Sequence, residues 1–400
     1  MTADNSRGFV RRTALLFTIT YMVSYITRIN YGAIVSEMGL ALDISKTRVS
    51  MALTGSFITY GVGQLVSGVL GDRFSPKRLV TLGLCTTTCM NLLLPLCSSP
   101  EPMLVVWCVN GFAQAFMWPP MVRLMAVLPE SDYTYTSVRV SWGSSFGTIV
   151  VYLVSPLLIS VFNWRAVFIA SAVCGVVMAL LWNRFAYDAP PEPKPSDSGE
   201  KPAGVRMLLS PRIFCVMAAI VLQGILRDGV TTWMPSYISE TYDLSSRVSI
   251  LTGVTLPIFG VICMQLAAKL YTKLIKNPLL CAGALFGVGS AAALGLRLCS
   301  GGAAGVSVLL SALLTGCMHG VNFLLICIIP AFFKKYGNVS TASGLLNFCT
   351  YIGSALSSYG IAALSENFGW SLTLTVWLAV ALGGTAICLG CARAWGRKMG

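Results

Sequence analysis

Apolar runs of about 20 residues or more recur along the whole chain, and at about 1.5 Å rise per residue each is long enough to cross a ~30 Å hydrocarbon core as a helix. A transmembrane β-barrel would instead show segments of about 10 residues alternating between apolar and polar. The pattern predicts about twelve helical spans, roughly over 12–36, 48–71, 79–98, 102–128, 137–161, 165–185, 212–239, 247–272, 278–297, 304–332, 340–364 and 370–392. The fold class expected is therefore an all-α membrane protein. Between the sixth and seventh spans lies APPEPKPSDSGEKPAG, rich in Pro, Gly and charge, which cannot bury apolar surface. It divides the chain into a six-helix half over 1–188, a linker over 189–210 and a second six-helix half over 211–400. An even count and a central hydrophilic loop fit two parallel repeats, an arrangement whose binding site is expected at mid-depth between the halves.

Composition agrees with the pattern. With 55% hydrophobic and 11% charged residues, and a mean hydropathy of +0.74, a soluble domain would lack the polar surface to cover itself. The net charge of +13 is mostly topological. With both termini cytoplasmic, the inner segments carry Arg7, Arg11, Arg12, Arg73, Lys77, Arg78, Lys269, Lys273, Lys276, Arg393 and Arg397 among others. The outer face receives only Lys46, Arg48, Arg165, Arg247 and Arg297. No basic soluble domain exists to hold nucleic acid, so none is expected as a partner. The first apolar run is too long for a signal h-region and lacks a small-residue cleavage site, so it is expected to remain as the first helix. The 14 cysteines lie almost entirely within spans, where they act as small apolar side chains. Cys388 and Cys391 form a C-x-x-C, yet no second pair completes a tetrahedral metal site. One histidine, no nucleophile motif and no cofactor loop argue against an enzyme; no catalytic residue, metal or cofactor is expected.

Two arginines stand out because a guanidinium at helix centre costs about 2.5 to 3.5 kcal/mol on insertion scales and usually faces a water-filled cavity or a charged partner. Arg28 lies in the first span and Arg227 in the seventh, at matching places in the two halves. Tyr21, Tyr25 and Arg28 follow i, i+4, i+7 spacing and share a helix face; Gln223, Arg227 and Thr231 form the corresponding stripe. Facing stripes would present about two fixed positive charges, close to what a phosphate monoester carries with opposite sign. The alternative for each arginine is a position near a helix end, snorkelling, or a local carboxylate partner. Asp228 is adjacent, but neighbouring helix residues diverge by about 100°, so it is not expected to share Arg227's ligand face, and its role stays open. Further polar residues in apolar surroundings are Asn110, Gln114 and Trp118, then Ser141, Ser144, Ser145 and Thr148, then His319 and Asn322, then Asn347, Tyr351 and Ser354. Small hydroxyls among them serve helix packing more often than they bind ligands. His319, the lone imidazole, either lines a cavity or makes an interhelical bond; with Asp228 it is a candidate for proton coupling. Pro119 and Pro120 permit a kink after Trp118, and Gly61, Gly63, Gly68 and Gly71 permit close helix approach.

The stretch Gly68-Val69-Leu70-Gly71-Asp72-Arg73-Phe74-Ser75-Pro76-Lys77-Arg78 resembles the G-x-x-x-D-R loop of the major facilitator superfamily. The resemblance implies a gating segment, Gly68, Asp72, Arg73, Lys77 and Arg78, in which the Asp latches against a neighbouring helix. The equivalent loop of the second half, Gln265 to Pro278, has no Asp. Across nearly the whole chain, YMVSYITRINYG, GDRFSPKR, NGFAQAFMWPPMVRLM, LRDGVTTWMPSYI and ASGLLNFCTYIGSAL are similar to the organophosphate:phosphate antiporters of that superfamily. This implies the superfamily fold and exchange of a phosphorylated metabolite for inorganic phosphate. Arg28 and Arg227 then match the phosphoryl-binding arginines, with Tyr21, Tyr25, Gln114, Trp118, Ser144, His319 and Tyr351 as further substrate-binding candidates. The glycerol-phosphate branch carries basic residues where this chain has Ile29, Gln64 and Ser144, so the site is less positive and a different phosphorylated metabolite or small organic anion is expected. The implied protein is a monomeric, multi-pass carrier of the inner (plasma) membrane, in contact with lipid, working by alternating access. Rival readings keep the fold: a proton-coupled organic-anion or drug transporter, or a sugar-phosphate sensor.

Overall fold

The computed structural model describes residues 3–44, 46–189, 207–208, 210–244 and 255–399. The helices are α1 Ala3–Ala33, α2 Val35–Leu42, α3 Lys46–Arg73, α4 Pro76–Leu93, α5 Pro100–Gln114, α6 Trp118–Ala126, α7 Glu130–Val161 and α8 Trp164–Phe185. They continue with α9 Pro211–Tyr242, α10 Thr255–Lys273, α11 Pro278–Leu298, α12 Ala304–Asn322 and α13 Val339–Met399. Two compact units form, one of Met1–Ser198 with Phe333–Leu345, the other of Gly199–Phe332 with Leu346–Gly400. Most of the linker expected over 189–210, and the start of the span expected over 247–272, lie outside the described residues.

Local chemistry sets the helix ends. Ser75 accepts from the Arg78 amide and is followed by Pro76 at the first helical position; Asn163 and Asn277 cap α8 and α11 in the same manner. Asp43 and Asp243, both at φ 52°, close α2 and α9 in the left-handed region that short polar side chains tolerate. Gly369, at φ 76°, divides α13 into its two membrane segments.

Among the described residues, nine helices are long and apolar enough to cross a membrane. The other three spans expected from the pattern correspond to α1, to α5 with α6, and to the first part of α13. α1 and α13 are diluted by Ser, Thr, Asn and Gly, while the span expected over 102–128 is interrupted. α5 ends at Gln114 and α6 begins at Trp118, because Pro119 and Pro120 supply no amide hydrogens and their rings exclude the preceding carbonyls. The tenth span also departs from a uniform α-helix: after Asn322 it widens into a π segment, Phe323–Ile328, then tightens to a 3₁₀ turn over Ile329–Tyr336.

In the first unit an aromatic cluster anchors one end of the bundle. Tyr31, Trp107 and Phe168 pack with Trp107 5.0 Å from Tyr31 and 5.7 Å from Phe168 between ring centroids, and the Tyr31 hydroxyl donates to Val49 O at 2.9 Å. α1 lies close against α7 because Gly143 and Gly147 present no side chain there; a Cβ at either would collide with the backbone carbonyl of Thr18 or Met22. Leu153, Leu157, Val161 and Leu180 point outward, an apolar exposure suited to lipid.

Candidate functional site

In the first unit, α1 presents Tyr21, Tyr25 and Arg28 on one face, as their spacing predicts. The Arg28 guanidinium carbon sits 4.2 Å from the Tyr25 ring centroid and 4.7 Å from that of Tyr60 on α3. Tyr21 lies 5.1 Å from Tyr25 and 5.0 Å from Trp118 on α6. Aromatic faces carry negative electrostatic potential, so they hold a guanidinium in place. Tyr60 was not among the residues singled out from the sequence; its one signal is its place four residues before Gln64 in a glycine-studded span.

Behind this face runs a buried polar network. Gln114, 1% exposed, accepts from Ser24 Oγ at 2.7 Å and donates to Thr27 Oγ1 at 2.9 Å and Thr87 Oγ1 at 2.8 Å. Asn30 donates to Asn91 at 2.7 Å and Ser171 at 3.0 Å, Asn91 donates to Thr27 O at 3.0 Å, and Thr87 donates to Asn110. Gln114 is thus engaged in tying α1 to α4 and α5. Ser144 is half-buried and turns its hydroxyl to Ser141 O at 2.7 Å on its own helix. Trp118 is buried, and its indole N–H meets no acceptor among the described residues.

In the second unit the structure corrects one expectation. Arg227 and Asp228 do not turn away from each other: Nε donates to Oδ1 at 2.6 Å and Nη2 to Oδ2 at 2.8 Å, a bidentate pair. The Cα–Cβ bonds diverge as helix geometry requires, but the long arginine stem curls back and brings its fork onto the neighbouring carboxylate. Hence Arg227 does not stand as an uncompensated positive charge. Nη1 donates to Asn322 Oδ1 on α12 at 3.0 Å, and Ser354 on α13 donates to Asp228 Oδ2. The rest of the expected stripe serves the backbone, with Gln223 donating to Met318 O at 3.3 Å and Thr231 to Arg227 O at 2.6 Å. His319 is half-buried, packs against Gly260 and lies within electrostatic reach of Arg227 and Asp228. Asn347, Tyr351 and Ser354 share a face of α13 by i, i+4, i+7 spacing, and Tyr351 is half-buried there.

The G-x-x-x-D-R segment is also built out. Asp72 accepts from the backbone amides of Ser340 and Thr341, each at 2.7 Å, in the first turn of α13. Those amides have no partner within the helix, and the helix dipole favours an anion there. Gly68 allows the contact: a Cβ would come within 2.9 Å of Ser340 O and 3.2 Å of the Gly344 Cα. Arg123 on α6, 3% exposed, donates to Gly71 O and to Phe74 O at 3.1 Å, closing the carbonyl end of α3. Sequence reasoning missed it, although a basic residue inside the apolar run MWPPMVRLM was a visible signal. Lys77 Nζ reaches Ala186 O at 2.7 Å, while Arg73 and Arg78 are exposed.

Comparison with known proteins agrees with this architecture. A probable hexose phosphate transport protein of Chlamydia trachomatis is 23% identical over 405 residues, covering 90% of this chain and 86% of its own length. The membrane sensor protein UhpC of Salmonella typhimurium is 25% identical over 422 residues, covering 96% and 91% respectively. Among solved structures, the transporter FucP in its outward conformation superposes with a TM-score of 0.78 at 14% identity, over 95% of this chain and 98% of that one, which establishes a common fold. The sequence profile of the Major Facilitator Superfamily matches residues 17–358, most of the chain. This protein is a multi-pass membrane protein belonging to the Major Facilitator Superfamily.

Proposed function

We propose that the protein is a secondary transporter of the organophosphate:phosphate antiporter branch, exchanging a sugar phosphate or similar organic anion for inorganic phosphate by alternating access. The observation that carries this reading is the Arg28 guanidinium held over the rings of Tyr25 and Tyr60, a permanent cation whose planar fork matches the oxygens of a phosphoryl group. On this reading Arg227 is a second phosphoryl contact, and Tyr21 and Trp118 of the first unit and His319 and Tyr351 of the second are further candidate contacts. Asp72, on the amides of Ser340 and Thr341, acts as an inner latch. Exchange follows if the closed form is reached only with anion bound, since dehydrating a cationic site without its anion is costly. Relatives with names such as hexose phosphate transport protein support a phosphorylated cargo.

The decisive experiment uses proteoliposomes. Uptake of labelled inorganic phosphate should require phosphate or a hexose phosphate inside, and Arg28→Ala and Arg227→Ala should each abolish it. Uptake without any internal anion would defeat the exchange reading. The Asp228 and His319 cluster favours a second reading, proton-coupled anion transport, for which uptake would follow an imposed pH gradient with no counter-anion. The sensor named among the relatives defines a third, in which the protein binds a sugar phosphate but moves little of it.

A further inference from the structure

The Arg227–Asp228 pair poses a problem of competition, on the reading that Arg227 receives the cargo's phosphoryl group. Nε and Nη2 form the fork with which an arginine grips two oxygens at once, and both are engaged by Asp228. A carboxylate and one edge of a phosphoryl group present much the same pair of oxygens, so the two cannot occupy that fork together. The pair is not sealed in the protein: the side chains of Arg227 and Asp228 are 16% and 32% exposed. Each partner also has a second anchor on a different helix, Asn322 Oδ1 for Arg227 and the Ser354 hydroxyl for Asp228. When the carboxylate leaves the fork, Arg227 keeps its position and Asp228 keeps a hydrogen-bond donor.

We propose that Asp228 is a resident counter-ion that competes with the incoming anion for Arg227 and thereby makes the site select cargo by charge, admitting dianionic phosphate esters and refusing monoanions of the same shape. The carboxylate is the neighbouring residue on the same helix turn, so its effective concentration at the fork is high. A monoanion displacing it exchanges one unit charge for another and gains nothing electrostatically. A dianion brings an additional attraction that is strong in a partly dehydrated site. Discrimination thus comes from a built-in rival to the wrong ligand as well as from contacts to the right one.

Glucose 6-phosphate and glucose 6-sulfate test the idea, because they share a shape while the phosphate, with its second pKa near about 6, is largely dianionic at pH 7.5 and the sulfate remains monoanionic. Binding of each to purified full-length protein is measured by calorimetry or thermal shift. The wild type should prefer the phosphate ester strongly; Asp228→Asn should tighten the sulfate ester by about tenfold and narrow the preference accordingly, while Asp228→Glu, which keeps the charge, should retain it. An unchanged ratio in Asp228→Asn, or equal weakening of both esters, overturns the proposal. Should that variant fail to fold, the wild type decides alone, since equal affinity for the two esters is incompatible with the proposal. A wild type that melts cooperatively and binds neither ester removes the underlying phosphate reading, a distinct result.

Discussion

Two tyrosine rings lie within 4.7 Å of the Arg28 guanidinium carbon, a contact that substitution of either ring tests directly. Tyr60 contributes one of the two rings over Arg28, and a cation–π contact is worth about 0.5 to 2 kcal/mol depending on dehydration. Tyr60→Ala should therefore raise the KM for phosphate exchange about two- to thirty-fold, whereas Tyr60→Phe, which keeps the ring face, should stay near wild type. Initial rates in proteoliposomes over a range of external phosphate read both. Gln114 tests the polar network beside these rings. Gln114→Leu takes away the acceptor of the buried Ser24 hydroxyl and the donor that Thr27 and Thr87 receive, at about 1 to 3 kcal/mol for an unmet polar group. Its signature is a lowered melting temperature in detergent. At this scale the sequence was only partly legible. Tyr21, Tyr25 and Arg28 were readable because helical spacing fixes which side chains share a face. The Arg227–Asp228 pair was not, because spacing fixes the direction of Cβ but not the path of a long stem. Tyr60 was hidden because a lone tyrosine in an apolar run serves packing equally well.

Helices, at the next scale, meet at their ends as well as along their sides. The two bonds from Asp72 to the first turn of α13 are charge-assisted, worth about 1.5 to 3 kcal/mol each when formed to an ionised group. Asp72→Ala should leave the amides of Ser340 and Thr341 exchanging hydrogen at least about tenfold faster, with protection elsewhere in α13 little altered. Hydrogen exchange with mass spectrometry resolves this, and unchanged protection at those amides would show that the latch contributes nothing to holding the turn. The break between α5 and α6 was foreseeable from Pro119 and Pro120, since proline acts locally through its missing hydrogen and its ring. The π segment after Asn322 was not, because no single residue type dictates it. Nor was the matching of Asp43-Ile44-Ser45 with Asp243-Leu244-Ser245 used, although in both places the Asp adopts φ 52°.

For the molecule as a whole, the alternation of long apolar runs with short basic segments was enough to predict a helical membrane protein, because the bilayer demands that backbone hydrogen bonds be closed within each span. Orientation rests on the same sequence-level physics. The excess of Lys and Arg on one set of connections, including Arg73, Lys77 and Arg78, predicts that both termini face the cytoplasm. A fluorescent reporter that matures only in the cytoplasm should light up when fused at either end; a dark fusion at one end alone would require an odd number of crossings.

The wide turn at Phe323–Ile328 has a mechanical consequence. A π stretch loosens the regular ladder of amide-to-carbonyl bonds, and this one begins directly after Asn322, the residue that holds a corner of the Arg227 guanidinium. A pull on that corner meets the end of α12 on one side and the wider backbone on the other. The second basic centre is therefore anchored at a junction between regular and widened helix, and whatever it grips acts on that junction.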